Sequence, residues 1–107
     1  MKLQPGDVVL LRMAFHQTAG TKVRPAIVLL DAGDDDFVGA PVTSRARISD
    51  YDLPIQEWRT AGLNVPSFVR VHKLTVLPKG EIARQLGRLT KQDRDSLAQL
   101  LARAFQC

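Results

Sequence analysis

Runs rich in Val, Ile and Leu recur along this chain, and glycine, proline or aspartate soon cuts each one short. Runs that brief, bounded by turn residues, predict strands and not helices. Asp7 to Phe15, opened by Gly6, is the first. Arg24 to Asp31 is the second. Pro25 cannot donate a ladder hydrogen bond, so it belongs at a strand start or a bulge. Ala32-Gly33-Asp34-Asp35 is a turn, and Asp36 to Ser44 is the return strand of a hairpin. That turn accounts for Asp34-Asp35-Asp36 without a cation site. Tyr51 to Gln56 alternates and predicts a short strand, with a turn or one helical turn over Glu57 to Gly62. A further strand runs from Phe68 to about Leu77, where Pro78-Lys79-Gly80 breaks it. Glu81 to Leu89 is the last strand. His16 to Val23 and Arg45 to Asp50 are polar loops.

The final segment changes period. Thr90 is a good N-cap, and Asp93 stands three positions on, close to a capping box. Leu97, Leu100, Leu101, Ala104 and Phe105 fall on one helical face, which predicts a helix packed onto the sheet. Short strands at close spacing with one terminal helix predict a mainly β (α+β) fold, a small, strongly bent antiparallel β-barrel carrying a C-terminal α-helix.

At 107 residues the chain reads as a single domain over 1–107, long enough for one modest core. Its formal charge of +4 favours an anionic partner, nucleic acid or an acidic protein segment, without choosing between them. Cys107 is the single cysteine, so no internal disulfide forms and a reducing cytoplasm is expected. There is no long apolar run and no secretory leader, so no membrane association is expected. His16 and His72 are far apart and no Cys-x-x-Cys occurs, which argues against a metal site. No cofactor is implied. Trp58, the one tryptophan, is assigned to the core or a dimer contact, since one aromatic does not make a base-stacking surface.

Phe68-Val69-Arg70-Val71-His72-Lys73 alternates, so on a strand Arg70 and His72 share a face. A guanidinium beside an imidazole can hold a phosphate and move a proton. Metal-free cleavage of a phosphodiester needs a base, a cation for the charged intermediate and an acid for the leaving oxygen. Arg24, at the entry to the second strand, and Thr43-Ser44, at the end of the hairpin, are further candidates. Each also has a plain structural reading, as a strand-flanking arginine and as small polar residues ending a strand.

Gly6-Asp7-Val8-Val9-Leu10-Leu11, Thr18-Ala19-Gly20, Arg24-Pro25-Ala26, Pro41-Val42-Thr43-Ser44, Gly62-Leu63, Pro66-Ser67 and Val69-Arg70 stand in an order and spacing that resemble the MazF/PemK family of toxin ribonucleases. The likeness covers nearly the whole chain. It implies an SH3-like barrel with a C-terminal helix and a homodimer. It implies sequence-selective, metal-independent cleavage of single-stranded RNA, which inhibits translation and growth, with 2′,3′-cyclic phosphate and 5′-hydroxyl products. A cognate antitoxin would lay an acidic C-terminal segment across the RNA groove. By this resemblance Arg24 stabilises phosphate charge or acts as the acid. Thr43 and Ser44 hydrogen-bond the scissile phosphate, and Arg70 serves as general acid. One branch of the family carries an Asp, proposed as the base, where this chain has His72. A neutral imidazole keeps a proton acceptor there, and another branch relies on the Arg and Thr positions. His16, Thr18, Lys22, Arg45 and Arg47 are candidate RNA contacts. Two alternatives remain, a toxin of the same fold that poisons DNA gyrase by protein binding, and an inactive RNA-binding barrel.

Overall fold

The computed structural model describes residues 2–14, 21–45 and 49–106. Among the described residues are seven strands and one α-helix. They are β1 (Asp7–Ala14), β2 (Thr21–Leu30), β3 (Asp36–Thr43), β4 (Asp52–Pro54), β5 (Phe68–Arg70), β6 (Thr75–Pro78), β7 (Ile82–Arg88) and α1 (Lys91–Ala104). The strands form one antiparallel sheet in the order β4-β5-β3-β2-β1-β7, with β6 also pairing to β3.

Alternation along the strands builds two cores. Val8, Ile27, Ala40 and Val42 face one side, where Leu97 and Leu100 of α1 and Ile55, Ala61 and Leu63 cover them. Val9, Leu11, Ala26 and Val28 face the other side, against Leu3 and Phe37. A flat sheet of this size could not cover both faces, so it curls, and irregularities in the β1–β7 ladder at Val8/Val9 and Leu10/Leu11 increase the local bend. The curl is barrel-like, as expected, but the sheet does not close, because β4 and β7 are its edges.

A loop spans that seam. Gly62 has φ +92°, and a Cβ on it would strike the Leu86 carbonyl of β7. A Cβ on Gly87 would in turn strike the Ala61 carbonyl. Glycine at both positions is what lets the backbone of Ala61-Gly62 lie directly on β7.

The expected strand from Phe68 to Leu77 is a correction. It breaks after Arg70 into a 3₁₀ turn over Val71–Lys73, and β6 follows. Both pieces pair with the same edge of β3, β5 at Val42 and Thr43 and β6 at Asp36 to Gly39. The break lies between the two ladders, beside Ala40 and Pro41, and proline without an N–H is a poor ladder partner. Val71 turns inward and is fully buried, whereas His72 is exposed. The other strands and the helix agree with the sequence reading to within a few residues at their ends.

At the helix start Thr90 accepts the Asp93 N–H at 3.4 Å, as an N-cap should. Asp93 does more than complete a cap. Its buried carboxylate accepts the N–H groups of Gln56 and Glu57 at 3.0 and 2.9 Å, tying α1 to the segment after β4.

Candidate functional site

A groove of about 1040 Å³ opens beside the seam. Its floor continues the face covered by α1. Beyond Val8 and Ile27 the alternation of β1 and β2 brings Leu10 and Pro25, which are paired across the strands, and Val42 follows Ala40 on β3. Gly62 to Val65, held on β7 by the glycine contact, forms one wall together with Arg84 and Leu86.

Among the described residues five cations line this groove, Lys22 and Arg24 at the start of β2, Arg45 after β3, Arg70 at the end of β5 and Arg84 on β7. Thr43, Ser44 and Ser67 line it too, and among the described residues no carboxylate does. A concave surface with charge of one sign concentrates anions. Thr43 Oγ1 accepts the Arg45 N–H at 3.2 Å. That contact occupies an acceptor site of the hydroxyl and leaves its proton available to an anion.

Arg70 has a partner at each of two guanidinium nitrogens. Its Nε lies 3.5 Å from Asp52 Oδ1, and Asp52 is the residue directly opposite it in the β4–β5 register. Its Nη2 lies 3.4 Å from His72 Nε2. A guanidinium only donates, so this contact needs the unprotonated nitrogen of the imidazole at Nε2. The Tyr51 ring is tilted against that of His72, with centroids 6.3 Å apart.

The structure therefore brings together Arg24, Thr43, Ser44, Arg70, Lys22 and Arg45. His72 touches Arg70 but does not line the groove, and it reaches Arg70 from a turn, not by sharing a strand face. His16, Thr18 and Arg47 lie outside the described residues. Two residues escaped the sequence reading. Arg84 had a signal in the alternation of Ile82, Arg84 and Leu86. Asp52 had none, because its importance comes from cross-strand register. Trp58, expected in the core or a dimer contact, is half-buried against the larger core, with the Arg59 guanidinium 4.7 Å from its ring. Among the described residues no group of His, Cys, Asp and Glu could hold a metal ion, and no helix is long and apolar enough to cross a membrane.

Comparison with known proteins gives the family. Curated protein sequences give no match. Solved structures do. The Mycobacterium tuberculosis toxin MazF-mt6 superposes with a TM-score of 0.76 at 24% identity, over 95% of this chain and 96% of that one. The MazE-MazF structure (Form-III) of Deinococcus radiodurans gives 0.75 at 23% identity, over 95% and 94%. An endoribonuclease in complex with its cognate antitoxin, from a mycobacterial species, gives 0.71 at 17% identity, over 96% and 94%. At these identities the likeness establishes the fold. Residues 4–105 match the family described as PemK-like, MazF-like toxin of type II toxin-antitoxin system. That match spans nearly the whole sequence, and the chain belongs to this toxin family.

Proposed function

We propose that this toxin is a sequence-selective endoribonuclease that cuts single-stranded RNA in the cationic groove and so inhibits translation and growth. One observation carries the reading. Among the described residues, five cations and the hydroxyl side chains of Thr43, Ser44 and Ser67 converge on one groove, and no carboxylate lines it. Such a lining suits a polyanion, and its hydroxyl and guanidinium donors suit the phosphorane formed during cleavage.

In the proposed reaction a base removes the 2′-hydroxyl proton and the 2′-oxygen attacks phosphorus. The bond to the 5′-oxygen breaks, and that oxygen takes up a proton. The products are a 2′,3′-cyclic phosphate and a 5′-hydroxyl, with no metal required. We assign Arg24 to the phosphorane oxygens and Thr43 and Ser44 to hydrogen bonds on the same group. Arg70 serves the leaving oxygen. His72, whose Nε2 lies 3.4 Å from Arg70 Nη2, is the base candidate. Lys22, Arg45 and Arg84 hold the flanking backbone. Family membership supports a homodimer, and the antitoxin-bound neighbours support inhibition by a cognate antitoxin whose acidic C-terminal segment fills the same groove.

Alanine at Arg24 or Arg70 tests the assignment. Each residue lines the groove outside both cores, but Arg70→Ala also unpairs the buried Asp52 carboxylate, so its activity is read in protein shown to be folded. Loss of one such contact should slow cleavage by about 10²–10³ and relieve growth arrest. Undiminished arrest at matched expression would remove that residue from the site and favour a toxin acting by protein binding.

A further inference from the structure

Arg70 is backed by a carboxylate that packing does not explain. The Asp52 side chain is 1% exposed. Among the described residues neither of its oxygens has a hydrogen-bond partner, and nor does Arg70 Nε. A carboxylate withdrawn from water without hydrogen bonds weakens a fold, and among the described residues the cation at 3.5 Å offsets this. An apolar residue would fill the same place at lower cost.

The pair makes sense through its effect on Arg70. The guanidinium is planar, so contacts at two of its three nitrogens fix the plane. Asp52 faces Nε and His72 Nε2 faces Nη2, leaving the Nη1 donors for a ligand in the groove that Arg70 lines. The backbone reinforces the arrangement, since Asp52 and Arg70 are cross-strand partners and the Val71 N–H donates to the Tyr51 carbonyl at 3.0 Å. Asp52, Arg70 and His72 therefore rest on one small frame.

We propose that Asp52 is a positioning residue of the RNA-cleaving groove, its buried carboxylate holding the Arg70 guanidinium so that it meets the scissile phosphate already oriented. This rests on the ribonuclease reading above. Asp52 touches no substrate and acts through Arg70. Its loss should lower kcat and leave binding, which the other groove cations share, nearly unchanged.

The test is Asp52→Asn, which keeps the shape and removes the charge. In protein shown to be folded, kcat should fall about ten- to a hundredfold, the scale of a misplaced catalytic group, while KM changes little. Asp52→Glu should recover part of the loss. Asp52→Asn in an Arg70→Ala background should cost nothing more, because the two act as one unit. Unchanged kcat, or an equal further loss in that background, would overturn the proposal. A second readout needs no RNA. The Nε–H resonance of Arg70 should be resolved by NMR in the wild type and lost by exchange in Asp52→Asn, and its persistence in the variant would overturn the anchoring. If the wild type cuts no RNA, the ribonuclease reading fails, while this resonance still decides whether Asp52 fixes Arg70.

Discussion

Asp31, just past the end of β2, ties three parts of the chain together. Its carboxylate receives the Lys79 ammonium at 2.8 Å, the Leu3 N–H at 2.9 Å and the Gly33 N–H at 2.8 Å. The Lys79 hydrogen bond, followed by the two backbone donors, holds this carboxyl far below the usual carboxylate range. The native state therefore prefers the ionised form more strongly than the unfolded chain does. That stability is fully present above the unfolded pKa, about 4, and is lost as pH falls through the native value. Asp31→Asn should melt well below the wild type at pH 6, and the gap should narrow by pH 3. A gap of constant size across that range would show that the charge is not what matters. At this scale the sequence revealed the types of the groove residues but not their contacts. Arg24, Thr43, Ser44 and Arg70 were marked by short motifs. Arg70 and His72 do meet, but strand alternation was the wrong reason. Two residues along a 3₁₀ turn can bring the side chains together as well, and nothing local in Val71-His72-Lys73 announces that turn.

Among the elements, α1 shows how one residue can serve two. Asp93 lies in its first turn, where a carboxylate is favoured by the helix dipole. Its oxygens are spent on the Gln56 and Glu57 N–H groups, which no strand satisfies. Asp93→Ala would leave two part-buried donors unpaired and should cost about 2–4 kcal/mol, measured by denaturant unfolding. A loss below about 0.5 kcal/mol, the size of an ordinary surface change, would mean that water replaces the carboxylate. The helix itself was readable from Thr90 and the leucine spacing, because both signals are local. Of its stripe, Leu97 and Leu100 are buried, and Phe105, just past the end of the helix, is largely exposed. The division of the β5–β6 stretch was not readable, since it depends on which part of β3 offers a ladder. The second role of Asp93 depends on a neighbour 37 positions away.

For the molecule as a whole, the decisive feature is the open seam between the sheet edges. The loop pinned by Gly62 and Gly87 spans it, and the cations of β2, β3, β5 and β7 meet beside it. Sequence order scatters those cations between Lys22 and Arg84, and only the curl of the sheet gathers them. A curved antiparallel fold could be inferred from strand length and turn residues, but the place where its edges fail to meet could not. The central claim is that this groove cleaves RNA with its own side chains. The most direct test gives purified protein single-stranded RNA in excess EDTA and identifies the product ends. The account predicts cleavage leaving 2′,3′-cyclic phosphate and 5′-hydroxyl ends, with little or none from Arg24→Ala. Cleavage that vanishes in EDTA and returns with magnesium, or wild-type protein that leaves the RNA intact in both, would contradict it.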